Sequence, residues 1–204
     1  MSLPFRHYHP ATLIYSLLLL FLLAACSQPE PEEPDSVRRK SPIAITKTLH
    51  QPTNTYIKIV YGQPYKRDRD VFGNIVPYGK VWRTGANEAT EITTTNDILF
   101  GGKKLEAGTY ALFSIPQEDN QWTIILNEGL GQWGAFDYDE SLDKLRIKVP
   151  AIPKQSVTEA FTIQFTEIEN DSTNIVMQWD QYTVRIPIEF IEENGDGEEA
   201  LSGS

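Results

Sequence analysis

The polar residues best suited to chemistry lie in segment 78–95, which reads YGKVWRTGANEATEITTT. Within it four functional side chains surround one glycine, Gly85: Trp82, Arg83, Asn87 and Glu88. Arginine offers a planar fork of donors to a carboxylate, a phosphate or a pair of sugar hydroxyls. Glutamate can serve as a general acid or base, or as the ion-pair partner of the arginine. The segment is therefore the first candidate for a functional site, presented on a loop.

A structural role could also account for this cluster. In that interpretation Arg83 pairs with Glu88 or a nearby acid. Asn87 then caps a tight turn, and Trp82 belongs to the core. The sequence leaves both interpretations open.

Two further candidates precede this cluster in the chain. Arg69 stands in the run Arg67-Asp68-Arg69-Asp70, whose alternating charges are typical of a solvated edge that discourages aggregation. Its functional interpretation is an anion or sugar clamp shared with Arg83. Tyr78 opens the candidate segment, and we include it with Arg69 among the ligand-binding candidates.

Aromatic residues in the glycine-containing segment 128–138 are a second signal. Three of them lie among acids at positions 137, 139 and 143: Trp133, Phe136 and Tyr138. Exposed rings beside carboxylates can bind sugars, because a pyranose offers CH groups to a ring and hydroxyls to the acids. The alternative is a plug over one end of the fold. The acids lack the spacing of a calcium loop, so we predict no metal and no cofactor.

The N-terminus has the pattern of a bacterial lipoprotein precursor. Arg6 precedes an apolar run, Ala11 to Leu23, that is too short to remain as a spanning helix. The run ends in Leu23-Ala24-Ala25-Cys26, which resembles a lipobox. We therefore expect residues 1–25 to be a signal peptide and Cys26 to carry the lipid. The expected location is the outer membrane or cell surface, with a periplasm-facing anchor also open.

The cysteine and histidine content excludes several chemistries. Cys26 is the only cysteine, so a lipidated chain has no thiol for a disulfide, a metal site or a nucleophile. His7 and His9 leave with the signal, and only His50 remains. This excludes a zinc site with several histidines, and a Ser-His-Asp triad anywhere except beside His50.

The mature chain is acidic. Its formal charge of −10 becomes −11 without residues 1–25, and about −5 remains for the body when the charged tails are set aside. Residues 26–42 predict a disordered tether and residues 192–204 a disordered acidic tail. Nucleic acid would need a basic surface. The expected partners are the membrane, through the lipid, and an unknown ligand or envelope partner, but no nucleic acid.

Residues 43–191 have a dominant period of two, which predicts an all-β domain. Phe161–Phe165 and Val184–Ile188 alternate apolar and polar residues. Turn residues separate further predicted strands: Tyr56–Tyr61, Ala89–Thr95, Ile98–Phe100, Thr109–Ile115, Gln121–Leu126, Leu145–Val149 and Asn174–Gln178. Many short antiparallel strands predict a two-sheet sandwich, jelly-roll or immunoglobulin-like. One short helical turn is expected over Asp139–Leu145.

Several strings of the body resemble one family. They are YGQPYKRDRDVFG at 61–73, VPYGKVWRTGANEATEITT at 76–94, AGTYALFSIP at 107–116, and WTIILN with WG within 122–134. Together they resemble the secreted Bacteroidota lipoproteins grouped as domain of unknown function 2911, over Ser41 to Ile188. The resemblance implies no activity. It also implies glycine at the position of Asp68, so the turn there departs from the family pattern.

Three functions follow as hypotheses. The first is an envelope-anchored binding or scaffold module whose ligand is a glycan, a peptide or an envelope partner. The second is a glycosidase-like hydrolase that uses Glu88 with a second carboxylate, Asp137 or Asp139. The third is a structural domain in which Arg83, Asn87 and Glu88 form an internal brace. The fold class alone does not choose among them.

Overall fold

A computed structural model of the chain describes residues 39–192, of which residues 40–192 belong to one compact unit. These residues contain no α-helix, which confirms the predicted all-β class. The strands are β1 (Ile43–His50), β2 (Thr55–Gly62), β3 (Thr90–Thr94), β4 (Ile98–Phe100), β5 (Lys103–Leu105), β6 (Gly108–Ile115), β7 (Gln121–Asn127), β8 (Asp143–Phe165) and β9 (Ser172–Phe190). A single 3-10 turn, Glu140–Leu142, precedes β8.

The nine strands form one antiparallel sheet in the order β1-β2-β3-β6-β7-β8-β9-β4-β5. The long strand β8 joins the two parts of this sheet, because it pairs with β7 as far as Pro150 and with β9 from Ala151 onwards. The C-terminal residues of β9 in turn pair with β4. The division into two packed sheets stays a prediction.

One face of the sheet buries the main core. Alternating residues of almost every strand contribute to it, from Ile57 in β2 to Phe100 in β4, and both are fully buried. Each such side chain contributes about 1.5–3 kcal/mol by leaving water. Trp82 and Trp179 stack in this core with ring centroids 5.8 Å apart. The main core therefore holds together strands that are distant in the sheet order.

A smaller core lies on the opposite face of β6 and β7. Phe113 and Ile125 are fully buried there, although they alternate with residues of the main core. Tyr138 and Ala135, which follow β7 in the chain, pack against them. The segment between β7 and β8 therefore covers the outer face of the sheet, where it helps to build the candidate site.

Most predicted strands lie within the observed ones, and Ile98–Phe100 matches β4. The expected helical turn over 139–145 is only three residues long, because β8 already begins at Asp143. Arg67 and Asp68 both have positive φ, at 50° and 56°. Asp68 thus adopts the left-handed conformation that glycine takes most easily, which suits the glycine implied by the family pattern.

Candidate functional site

The arginine loop, residues 82–90, begins beside β6 and ends where β3 begins. The backbone amides of Trp82 and Ser114 each donate to the other residue's carbonyl oxygen, at 2.8 and 2.9 Å. The amide of Thr90 donates to the Arg83 carbonyl oxygen at 3.1 Å, which closes the loop at its base. Both ends of the loop are therefore fixed to the sheet.

Thr84 holds a strained backbone conformation within this loop. Its φ is +51°, which is an outlier for a β-branched residue and costs about 1–3 kcal/mol. Two hydrogen bonds hold it: its hydroxyl donates to Ser114 Oγ at 3.0 Å, and its carbonyl accepts from Thr90 Oγ1 at 2.7 Å. Backbone strain of this kind concentrates at functional sites, so it favours a functional role for the loop.

The arginine loop crosses the end of β2 at very short range. The Ala86 amide donates to the Gly62 carbonyl oxygen at 3.0 Å. A Cβ on Gly62 would lie only 1.9 Å from the Ala86 carbonyl oxygen, and one on Gly85 would lie 2.9 Å from Thr90 Oγ1. The crossing therefore requires glycine at position 62 and favours it at position 85.

The aromatic loop, residues 128–142, packs directly against the arginine loop. The Gly134 amide donates to the Asn87 carbonyl oxygen, and the Ala89 amide to the Gln132 carbonyl oxygen, both at 2.9 Å. Glu88 and Trp133 face each other in the short antiparallel bridge between these bonds. The two clusters that the sequence indicates separately thus form one surface, which we call the two-loop surface.

A buried carboxylate fixes the base of the aromatic loop. Asp143 accepts hydrogen bonds from Tyr138 Oη at 2.8 and 2.9 Å, from Asn127 Nδ2 at 2.8 Å and from Arg146 Nε at 2.5 Å. Burial and the bond to Asp143 raise the pKa of Tyr138 to about 12, although Arg146 opposes the shift. The phenol therefore remains a donor at neutral pH. This network is the internal brace of the region, and it lies outside the arginine loop.

Arg83 has no such network. Among residues 39–192 no ion pair joins it to an acid, and its Nε is buried without a hydrogen-bond partner. Burial lowers the pKa of this guanidinium. Gln132 Oε1, in the adjacent loop, is a buried acceptor that also lacks a partner. Each of the two loops therefore buries one polar atom that has no hydrogen-bond partner in the described chain.

Two large aromatic rings project from the aromatic loop. Trp133 is 59% exposed and Phe136 is 84% exposed. A Cβ on Gly134 would lie 2.8 Å from the Phe136 ring and 3.5 Å from Arg83 Nη1, so the ring and the guanidinium both lie close to this glycine. Rings with this exposure are available to stack on a ligand beside the cation.

A cleft of about 240 Å³ adjoins the two-loop surface. Its floor is apolar, with Ile43 and Val60 on the outer face of β1 and β2. Glu88 and Glu91 line its other side, and Glu91 Oε1 accepts from the Gly131 amide at 3.0 Å. The cleft therefore adds carboxylate acceptors to a surface that already presents rings and a cation.

Comparison with known proteins places the chain in a family. The family model described as "Protein of unknown function (DUF2911)" matches residues 41–188, well over half of the chain. The chain belongs to the DUF2911 family. No curated protein and no solved structure matches it. The family match confirms the predicted resemblance and covers both loops of the site.

The DUF2911 domain places the other predicted site residues away from this surface. Trp82 is buried in the main core, and its Nε1 donates to the Gly85 carbonyl oxygen at 3.1 Å. Tyr78 is half-buried beside Tyr182, and burial is the main cause that raises its pKa. Arg69 is exposed and donates to two carbonyl oxygens of its own loop. The described contacts therefore bring Arg83, Asn87, Glu88 and Trp133 together but not Arg69 or Tyr78.

The sequence did not indicate that Gln132 and Gly134 belong to the candidate site. A glutamine in a loop carries no signal that it will be a buried acceptor, since that depends on which loop packs against it. Tyr138, by contrast, belongs to the Asp143 network rather than to the exposed surface. Asp139 caps the 3-10 turn by accepting from the Ser141 amide at 2.9 Å. No group of acids or histidines in residues 39–192 could hold a metal ion.

His50 is buried and tied to two turns. Its Nδ1 lies 2.8 Å from Thr53 Oγ1, its Nε2 lies 3.0 Å from Asp171 Oδ1, and its ring stacks on Phe190. Hydrogen bonds thus link a hydroxyl to an imidazole and the imidazole to a carboxylate, as in a catalytic triad. The imidazole is only 3% exposed while the Asp171 side chain is 69% exposed, the reverse of the burial order in a hydrolase triad. We interpret the array as a link between the β1–β2 and β8–β9 turns.

Several predictions concern parts of the chain outside the described residues. These are the signal peptide at 1–25, the lipid on Cys26, most of the tether at 26–42 and most of the acidic tail at 192–204. Within residues 39–192 there is no helix long and apolar enough to cross a membrane.

Proposed function

We propose that the chain is an envelope-anchored binding module whose ligand is a glycan, held on the two-loop surface. The observation that carries this proposal is the placement of the exposed Phe136 ring beside a guanidinium that has no acidic partner in the described chain. A second exposed ring, Trp133, belongs to the same loop. Rings supply stacking area for the CH face of a pyranose, and polar groups beside them supply orientation.

The base of the aromatic loop supports this proposal. Because the Asp143 network and Phe113 fix the loop to the sheet, its rings are presented from a rigid support. Preorganised rings lose little conformational entropy when a ligand binds. The strained Thr84 supports it as well, since the loop holds a conformation that its own residue types do not favour.

We further infer that the sheet folds as a β-sandwich, of the jelly-roll or immunoglobulin-like kind, around the main core. The support is that strands near both ends of the sheet order, β2 and β4, share one hydrophobic cluster. The lipid on Cys26 would hold the module at the outer membrane or cell surface. We do not extend the proposal to hydrolysis by Glu88, because Asp139, one of its suggested partners, is engaged in capping the 3-10 turn.

The proposal predicts glycan binding that depends on the two rings. Screening the purified chain against an array of neutral and acidic oligosaccharides should reveal saturable binding. Trp133→Ala and Phe136→Ala should each weaken it about tenfold, equivalent to about 1.4 kcal/mol, with the fold intact by circular dichroism. Ile152→Ala, which removes an exposed apolar side chain outside both loops, is the matched control and should bind as wild type. An array with no bound glycan, or full binding by both ring variants, contradicts the proposal.

A further inference from the structure

We propose that the glycan bound by the two-loop surface is an acidic one, containing uronic acid residues, and that Arg83 selects it by pairing with the sugar carboxylate. This inference rests on the proposed function and adds the chemical class of the ligand. It is carried by the contrast between Arg83 and Arg146, which both lie beside the aromatic loop.

The two arginines have opposite surroundings. Arg146 contacts two carboxylates, with Nε 2.5 Å from Asp143 Oδ2 and Nη2 3.2 Å from Glu140 Oε1. Arg83 contacts none among residues 39–192, although it is the more buried of the two. Removing a cation from water without a counter-charge is unfavourable, and a ligand carboxylate would offset that cost.

The guanidinium of Arg83 retains donors for such a carboxylate. Nε is buried, but neither Nη1 nor Nη2 donates to a described residue, and neither is buried. Nη1 lies beside Gly134 and the Phe136 ring. An arginine fork binds a carboxylate through two parallel hydrogen bonds, so a ring stacked on Phe136 could place its carboxylate on this edge.

The neighbouring acceptors favour a ligand that also donates hydrogen bonds. Glu88 and Glu91 line the adjoining cleft. Carboxylate oxygens accept hydrogen bonds from sugar hydroxyls, and the two carboxylates repel a phosphate dianion more strongly than the single charge of a uronic acid. A uronic acid carries one negative charge and several hydroxyls on one apolar-faced ring. It therefore matches the cation, the acceptors and the rings together.

The test compares each acidic sugar with its uncharged ester. The probes are oligomers of galacturonic, mannuronic and glucuronic acid, and the methyl ester of each, titrated into the purified chain by calorimetry. Esterification removes the charge and keeps the ring and its hydroxyls. Wild type should bind at least one acid about tenfold or more tightly than its ester. Arg83→Gln should lose that preference, whereas Arg185→Gln, which replaces an exposed arginine of β9 outside both loops, should keep it.

The outcomes separate this inference from the proposed function. Equal affinity for acid and ester, or a preference that survives in Arg83→Gln, overturns the inference while glycan binding stands. Binding confined to neutral sugars does the same. A chain that binds neither these oligomers nor any glycan of the array overturns both. Circular dichroism of Arg83→Gln in the same buffer ensures that a lost preference reports on the site and not on unfolding.

Discussion

Replacing Gly62 with alanine is expected to destabilise the domain by about 3 kcal/mol, the upper end of the usual cost of overpacking. The new Cβ would lie 1.9 Å from the Ala86 carbonyl oxygen, a backbone atom that cannot rotate away. The clash must therefore separate β2 from the arginine loop and break the bond from the Ala86 amide to the Gly62 carbonyl oxygen. A loss of this size in a domain of this length lowers Tm by roughly 6–12 °C.

Gly102→Ala is the matched control for this substitution. Gly102 has φ +77° but nothing within 4 Å of an added Cβ, so its replacement carries only the backbone cost of about 1 kcal/mol. The unfolding free energies of the two variants, measured in urea, should therefore differ by about 2 kcal/mol. Equal losses would mean that the crossing between Gly62 and Ala86 can relax, and the arginine loop would then not be held as rigidly as described.

The second large effect is expected for Asp143→Asn, which should lower the free energy of unfolding by about 2–3 kcal/mol. The carboxylate accepts hydrogen bonds from Tyr138, Asn127 and Arg146, and its side chain is only 8% exposed. In asparagine an NH2 group replaces one carboxylate oxygen. This group cannot accept hydrogen bonds, so some of the donors around position 143 are left without an acceptor. Hydrogen bonds to a charged group contribute about 1.5–3 kcal/mol each, so the loss is large although the shape is kept.

Glu140→Gln is the control that distinguishes the effect of the buried carboxylate, Asp143, from the effect of an exposed one. Glu140 also contacts Arg146, but its side chain is 75% exposed, and an ion pair of that kind contributes little. The free energy of unfolding of Glu140→Gln should stay close to that of wild type. Amide hydrogen exchange across residues 128–142 should accelerate in Asp143→Asn alone, since the network fixes that loop. Equal behaviour of the two variants would show that Asp143 is not the anchor.

The strands were the most predictable part of the fold, because buried strands carry a period of two. The sequence nevertheless suggested two short strands where β8 runs unbroken from Asp143 to Phe165. The alternation of buried residues ends after Ala151, where β8 has changed partner from β7 to β9 and its pairing with β9 shifts register between Pro153 and Thr162. β1 was not predicted at all, since its larger apolar residues, Ile43 and Ile45, face outward.

The candidate site was predictable only in parts. Its two segments stand out by residue type, but nothing in the sequence pairs the Asn87 carbonyl with the Gly134 amide, because that contact depends on the fold of the whole β6–β7 region. A hydrogen-bond network built on Asp143 fixes the aromatic loop, and the sequence did not indicate it. The brace of Arg83, Asn87 and Glu88 stays a hypothesis. Gly62 has no local signal either, since the atom that demands glycine there belongs to Ala86, distant in sequence.

The most direct test of the two-loop surface as a binding site is the unfolding free energy of Arg83→Met, which removes the charge and keeps an apolar stem. We expect a value equal to wild type or up to about 1 kcal/mol higher, because the substitution removes a buried donor without a partner and residues held for function often restrain stability. A loss of about 3 kcal/mol, the cost of breaking a buried ion pair, would make Arg83 a structural brace and contradict the account.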